Sequence, residues 1–175
     1  YSELLEVLDI QQVVVMGISG GGPSSMEFAA KFPEKTLGLI AFEAVSYSED
    51  YANKFPEDES MLNGSDFSMW AGLYYMSFLG AKKKAAMMLP NLKNRIRLTS
   101  NPKNVAKLKS MEWSIWPMSL RREGVANDYQ QFVDLSIPFE KINVPTLAIH
   151  GNEDINVDLS HAKEVIEKVQ GSDLK

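Results

Sequence analysis

The 175-residue sequence contains no cysteine and two histidines, and both scarcities restrict its chemistry. Without cysteine there are no disulfides, no thiolate metal ligands and no cysteine nucleophile. This absence fits a reducing compartment, so a cytoplasmic location is expected. His150 and His161 are eleven positions apart, and no carboxylates flank them at metal-ligand spacing. The sequence therefore predicts no metal centre and no bound cofactor.

Long apolar runs and a basic charge balance are also missing. No stretch approaches the roughly 18 apolar residues that a membrane-spanning helix requires, so no membrane partner is expected. The formal net charge is -5 and the pI is about 5.1, which argues against a nucleic-acid partner because phosphate backbones bind basic surfaces. The first five residues have neither the basic nor the apolar region of a signal peptide. Oligomeric state is left open, a homo-oligomer included.

What is present has the composition of a folded domain, with 45% hydrophobic and 23% charged residues. The β-branched run Val13-Val14-Val15-Met16 has no polar alternation, which predicts a central parallel strand buried on both faces. A helix is predicted from Pro23 to Phe32, and a second buried strand from Thr36 to Phe42. Strand, helix and strand in about thirty residues form a βαβ unit with a right-handed crossover.

The middle of the chain has a different character. Between residues 47 and 140, strand-like runs give way to helical patterns rich in Met, Trp, Tyr and Lys. Ser65-Asp66 and Asn101-Pro102 have the composition of helix starts. The run Lys82-Lys83-Lys84 is interpreted as a solvated helix face or loop. The sequence therefore predicts a helical insertion over this region.

The α/β pattern then returns. Pro145 to Ile149 is predicted to be a third buried strand, followed by an acidic loop and a helix from Val157 to Val169. The predicted organisation is an α/β core of residues 1–46 and 141–175, interrupted by the helical region of residues 47–140.

The stretch Gly17-Ile18-Ser19-Gly20-Gly21 fits the pattern G-x-S-x-G, at the junction of the first strand and its helix. So tight a turn strains its central residue and presents the Ser19 hydroxyl above the sheet edge, as a nucleophile requires. Gly17 and Gly21 are expected to avoid Cβ collisions across the turn, and the Gly20 N–H to stabilise a developing oxyanion. The alternative is a glycine-rich turn that cradles a phosphate, although no Lys or Arg lies within Gly17–Met26.

A serine hydroxyl needs a base and an orienting carboxylate to become a nucleophile. Asp154 is the candidate carboxylate, because it follows the third strand at the edge where Ser19 is expected. Its alternatives are a helix-capping residue and a solvated loop acid. His161, in the next helix, is a weak candidate for the base, and His150 at the strand end is expected to be structural.

These segments resemble the α/β-hydrolase superfamily, in the branch with a helical cap between its sixth and seventh strands. The resemblance implies an α/β fold with a parallel sheet, flanking helices and a cap insertion, and a triad in the chain order Ser, acid, His, which Ser19 and Asp154 obey. The segments that carry it are Val13 to Pro23 for the strand and nucleophile elbow, Phe28 to Glu34 for the end of the next helix, Arg121 to Asp128 for the close of the cap, and Val144 to Asp154 with His161-Ala162 for the acid strand and loop.

The superfamily places its base after one further strand and loop beyond the acid, and neither that loop nor the early strands are found in this sequence. We therefore expect an internal portion of a longer protein, which also fits the lack of an initiator Met. The resemblance implies a serine hydrolase acting on a small carboxylic ester or related acyl substrate, with its base His outside this sequence. The alternative is a catalytically silent domain of the same fold that binds a small apolar ligand or a partner chain.

Overall fold

The computed structural model describes residues 1–48, 64–114 and 116–175. It divides into two compact units, one formed by Tyr1–Tyr51 with Gln130–Lys175 and the other by Ala52–Tyr129. The predicted domain boundaries after residues 46 and 140 stay predictions, and residues 49–63 of the predicted helical region lie outside the described residues.

The first unit contains a parallel sheet of four strands in the order β1-β2-β3-β4. This architecture confirms the predicted parallel sheet with flanking helices. The strands are β1 Val13–Ile18, β2 Thr36–Phe42, β3 Thr146–Ile149 and β4 Ser172–Leu174. The α-helices within the described residues are α1 Ser2–Val7, α2 Gly22–Lys31, α3 Asp66–Ser77, α4 Ala81–Met88, α5 Leu92–Thr99, α6 Pro102–Ser114, α7 Arg122–Val133 and α8 Leu159–Lys168.

One face of the sheet is covered by α2 and α8. Met26 and Ala29 in α2 and Val165 in α8 are buried at helical spacing against Leu39 of β2 and Ala148 of β3. These side chains belong to one continuous apolar cluster, so a single core holds both helices on the same side of the sheet.

The prediction for β1 as a strand buried on both faces is wrong. Val14, Met16 and Ile18, which alternate along β1, are each about half exposed. Among the described residues β1 pairs only with β2, and the helices cover only the opposite face of the sheet. An apolar run without polar alternation therefore does not indicate whether one face of the strand or both faces are covered by the described residues.

The short strand β4 was not predicted. Its three residues, Ser-Asp-Leu, lack the β-branched run that marks the other strands, and it forms by pairing in parallel with β3. The pairing continues one residue further, because the Lys175 N–H donates to the Ala148 carbonyl oxygen at 2.9 Å.

The helix starts predicted in the second unit are confirmed. Ser65 Oγ accepts a hydrogen bond from the Ser68 N–H at 3.1 Å at the start of α3, and Asn101 Oδ1 accepts from the Lys103 N–H at 2.9 Å before α6. The interpretation of three consecutive solvated lysines is wrong, since Lys84 is buried. On a helix three successive residues span about 200°, so they do not all share one face.

Candidate active site

The parallel register aligns the ends of three strands at the carboxyl edge of the sheet. Ile18 of β1 pairs with Phe42 of β2, and Phe42 pairs with Ile149 of β3. Side chains that follow parallel strands meet at this edge, where α/β proteins bind their ligands. Each of the three is followed by a polar residue that leaves the sheet at the same level: Ser19, Glu43 and His150.

Ser19 stands at the turn between β1 and α2. Its φ of 51° lies in the left-handed region, which costs a non-glycine residue roughly 1–2 kcal/mol, so the predicted strained turn is present. The Val45 N–H donates to the Ser19 carbonyl oxygen at 3.0 Å and holds the turn against the segment that follows β2. Ser19 is exposed, and its hydroxyl makes no hydrogen bond to a described residue.

Two glycines allow this turn, and one of them differs from the prediction. A Cβ on Gly17 would lie 2.1 Å from Ser25 Oγ, and a Cβ on Gly22 would lie 2.3 Å from the Val45 carbonyl oxygen. The prediction for Gly21 is wrong, because a Cβ there would meet nothing within 4 Å. A side chain at Gly21 would have open space around it, whereas Gly22 is the glycine that passes close to the backbone after β2.

Gly20 is the second residue of the short helical turn Ser19–Gly21 that leads into α2. The first N–H groups of a helical segment have no acceptor within it, so the Gly20 N–H, next to Ser19, has no partner inside this turn. A Cβ on Gly20 would lie 3.2 Å from Cζ of Phe132, a buried residue of α7. Phe132 therefore places an apolar ring beside this N–H, a contact that its helical sequence pattern did not indicate.

Asp154 lies in the loop after β3, as predicted, and its side chain is only 11% exposed. Its Oδ1 accepts hydrogen bonds from the N–H groups of Asn156 at 2.8 Å and Val157 at 3.1 Å. The cap of α8 is instead Asp158, whose Oδ1 accepts from the Ser160 N–H at 2.8 Å. The Ser160 hydroxyl and N–H hold the pKa of the Asp158 carboxyl below its usual value. Asp154 therefore shapes its own loop and is neither a helix cap nor a solvated acid.

His150 connects the end of β3 to the loop beyond Asp154. Its side chain is fully buried, and Nε2 lies 2.9 Å from the Val157 carbonyl oxygen. A carbonyl oxygen only accepts, so Nε2 carries the proton in this contact. Nδ1 is buried without a hydrogen-bond partner among the described residues. Nε2 is also 3.9 Å from Asp154 Oδ2, so His150 packs beside the acid loop.

His161 is buried in α8. Its Nδ1 accepts a hydrogen bond from the Ser46 N–H at 3.1 Å, and Ser46 Oγ donates to its carbonyl oxygen at 2.9 Å. The ring of Tyr47 stacks on the imidazole at 4.0 Å between centroids. No hydrogen bond joins His161 to Ser19 within the described part of the chain. These contacts favour a structural role, fixing the segment after β2 to α8, over the role of base.

The described ranges contain neither a metal-ligand cluster nor a membrane-spanning helix. No group of three or more His, Asp or Glu side chains there is arranged to hold a metal ion. None of the helices in those ranges is long and apolar enough to cross a bilayer. The polar groups that the fold brings to one edge are thus Ser19, the Gly20 N–H, Glu43 and Asp154. Glu43 was missed by the sequence analysis, where its only signal is an acidic residue directly after a strand.

The chain has relatives in sequence and in structure, although no protein-family model matches it. It is 29% identical over 185 residues to the uncharacterized hydrolase YcgS of Bacillus subtilis (strain 168), a match over 98% of this chain and 62% of that protein. An alpha/beta hydrolase fold protein from Nakamurella multipartita aligns over 99% of the chain with a TM-score of 0.77 and 25% identity. The chain therefore has the α/β-hydrolase fold. A hydrolase from Pseudomonas aeruginosa PA01, at 22% identity and a TM-score of 0.68, shares the fold over 99% of this chain and 59% of its own.

The chain spans 62% of the length of its Bacillus relative and 63% of the Nakamurella structure. The three alignments cover nearly all of the chain, including both segments that meet at the carboxyl edge. The first unit therefore has the α/β-hydrolase fold, and Ser19 and Asp154 follow strands at the carboxyl edge of its sheet, where α/β folds generally bind ligands.

Proposed function

We propose that the intact protein is a serine hydrolase that cleaves a small carboxylic ester or a related acyl compound. The observation that carries this proposal is the left-handed backbone at Ser19, which exposes a hydroxyl at the carboxyl edge of the sheet. Backbone strain in a non-glycine residue persists where the surrounding structure enforces it, and such residues cluster at functional sites. The close approaches at Gly17 and Gly22 are the contacts that enforce it here.

In the proposed reaction, Ser19 Oγ attacks the substrate carbonyl carbon while a base removes the hydroxyl proton. The carbonyl oxygen becomes an oxyanion, and the Gly20 N–H is one of its donors. The C–O bond to the leaving alcohol then breaks, and the base returns the proton to that alcohol. Water, deprotonated by the same base, then attacks the carbonyl carbon of the acyl-enzyme. The bond from that carbon to Ser19 Oγ breaks and the base returns the proton to Ser19, so the carboxylic acid is released and the free serine is regenerated.

The base is proposed to be a histidine outside these 175 residues, with Asp154 as its orienting acid. Both histidines of this chain are engaged elsewhere, His150 with Val157 and His161 with Ser46. Asp154 Oδ1 is bound to two loop amides, while Oδ2 has no hydrogen bond to a described residue and can accept one from an imidazole. The Lys175 carbonyl oxygen accepts from the His150 N–H at 3.2 Å, so the residue after β4 lies at the start of this loop. The cap role of residues 47–140 is part of the same proposal and rests on the resemblance.

The test uses the intact protein and a fluorophosphonate probe, which labels activated serines covalently. We expect Ser19→Ala to abolish labelling and Ser24→Ala to leave it unchanged. Ser24 is the matched control because it is an exposed serine in α2, five residues further along the chain. Labelling retained in folded Ser19→Ala would contradict the proposal.

A second candidate function is a catalytically silent domain that binds a small apolar ligand or a partner chain. The observation in its favour is that neither histidine of the chain hydrogen-bonds Ser19. It predicts that the folded wild-type protein neither reacts with the probe nor hydrolyses a panel of p-nitrophenyl esters of increasing chain length. Labelling of the wild type that depends on Ser19 excludes it.

A further inference from the structure

We infer that Glu43 is a second acid of this site, a positioning residue whose carboxylate acts with that of Asp154 on the catalytic base. The juxtaposition behind the inference is the approach of the Glu43 carboxylate and of the Asp154 Cβ to Gly151, at the edge of the sheet that carries Ser19. The inference rests on the proposed function, because it assigns a role within the same reaction.

The backbone of Glu43 is held between the other two strand ends. Its N–H donates to the Ile149 carbonyl oxygen at 2.8 Å, which extends the pairing of β2 with β3 by one residue. Two residues later, the Val45 N–H donates to the Ser19 carbonyl oxygen at 3.0 Å. Within this clamp Glu43 adopts a φ of 46°, a left-handed conformation that a long acidic side chain does not favour. Ser19 and Glu43, at paired positions on adjacent strands, therefore share the same kind of strain.

The strained backbone directs the Glu43 carboxylate toward the acid loop. Oε1 lies 3.4 Å from the position that a Cβ on Gly151 would occupy, and the Asp154 Cβ lies 4.0 Å from the same point. Both acidic side chains thus approach the same glycine. Glu43 is half-buried, yet its carboxylate makes no hydrogen bond or ion pair with any described residue. An acid that served only the fold would be expected to have a partner, because a half-buried carboxylate gains from one.

In the proposed reaction, a negative charge close to the base favours proton transfer from Ser19. When the base takes the Ser19 proton it becomes an imidazolium, and nearby carboxylates favour that charged form. Asp154 commits Oδ1 to two loop amides, which leaves one oxygen for the base. Glu43 contributes a second charge without exchanging a proton, since the proton passes from Ser19 to the base and then to the leaving alcohol. The titratable side chain that approaches Gly151 together with Glu43 is Asp154; His150 lies beside Asp154, and its Nε2–H is already bound to Val157.

The experiment measures kcat and KM for hydrolysis of p-nitrophenyl butyrate by the intact protein across pH. For Glu43→Gln we expect kcat to fall about tenfold with KM nearly unchanged. We also expect the acidic limb of the pH profile to move about half a unit lower, because removing a negative charge lowers the pKa of the imidazolium. Glu43→Asp, which keeps the charge, should recover part of kcat and restore the acidic limb. The control is Glu34→Gln, the same chemical change in an exposed residue at the amino end of β2.

Two results would overturn the inference. One is a folded Glu43→Gln protein with wild-type kcat and an unmoved acidic limb. The other is full activity in Glu43→Gly, which relieves the backbone strain and removes the carboxylate. If Glu43→Gln does not accumulate as folded protein, Glu43→Asn carries the same measurement, since asparagine tolerates the left-handed region better.

Failure of the inference is distinguishable from failure of the proposed function. If Ser19→Ala loses fluorophosphonate labelling while Glu43→Gln behaves like the wild type, only the role assigned to Glu43 is rejected and the serine mechanism stands. Labelling retained in Ser19→Ala removes the serine mechanism and, with it, the role assigned to Glu43.

Discussion

The covered face and the carboxyl edge of the same sheet are built on opposite principles. On the covered face, Met26, Leu39 and Val165 are buried in one apolar cluster and need no polar partner. At the edge, Ser19 and Glu43 adopt left-handed backbone conformations and present polar groups that no described residue satisfies. The comparison shows that apolar packing stabilises the fold at one place, while backbone strain and unsatisfied polar groups are concentrated at another.

The two regions are nevertheless connected through backbone. Gly22, the first residue of α2, approaches the Val45 carbonyl oxygen, and the Val45 N–H binds Ser19. The packing of α2 on the sheet thus fixes the turn that carries the strain. Substitutions in each region should therefore separate stability from activity, except at the glycines where the regions meet.

The largest expected effect is at the core. Met26→Ala removes a fully buried side chain and leaves a cavity, so we expect the free energy of unfolding to fall by about 4 kcal/mol. Activity per folded molecule should be unchanged. Denaturant unfolding of the intact protein checks the first part, and titration with a fluorophosphonate probe checks the second. Met87→Ala, at an exposed position of α4, is the control and should change stability by less than about 0.5 kcal/mol. A large loss of activity without a loss of stability at Met26 would break the comparison.

The next effect is expected where core and edge meet. Gly22→Ala places a Cβ 2.3 Å from the Val45 carbonyl oxygen, so backbone must move and the free energy of unfolding should fall by about 3 kcal/mol. The labelling rate should fall too, because Val45 holds Ser19. Gly21→Ala is the matched control one residue earlier, where a Cβ meets nothing within 4 Å, and it should be nearly neutral in both measurements. Equal effects at the two glycines would argue against this account of the turn.

The smallest expected effect has the opposite sign. Ser19→Gly relieves the left-handed strain, so the free energy of unfolding should rise by up to about 1 kcal/mol while labelling is lost. Ser24→Gly, within α2, should instead lower stability by about 1 kcal/mol and keep the labelling. Thermal unfolding of the intact protein distinguishes the two. A destabilised Ser19→Gly protein would show that the serine stabilises its own turn.

Much of the fold followed from local sequence signals. The bounds of β2 match the prediction, because the residues before it, Phe32-Pro33, stop the helix and its apolar run is unbroken. The turn at Ser19 was found because a strand, a glycine-rich pattern and a helix occur together. Such signals lie within a few residues of the feature that they predict.

The errors share a dependence on contacts between distant segments. The importance of Gly22, rather than Gly21, comes from the approach of residue 45, which no pattern around the turn reveals. Glu43 becomes visible only when the register places it between Ser19 and the loop after β3. The wrong prediction that β1 is buried on both faces has the same cause, since the sequence of an apolar strand does not indicate which of its faces other segments cover.

The consecutive glycines at positions 20 to 22 have a consequence for mutational libraries. At position 20 an added methyl group contacts the ring of Phe132, which can rotate or be replaced by a smaller side chain. At position 21 an added methyl group contacts nothing within 4 Å. At position 22 it collides with backbone atoms, which no second substitution can remove. A library aimed at new substrates should therefore randomise the middle glycine freely, vary the first together with Phe132, and leave the third untouched. Three consecutive glycines thus differ in how well each tolerates substitution.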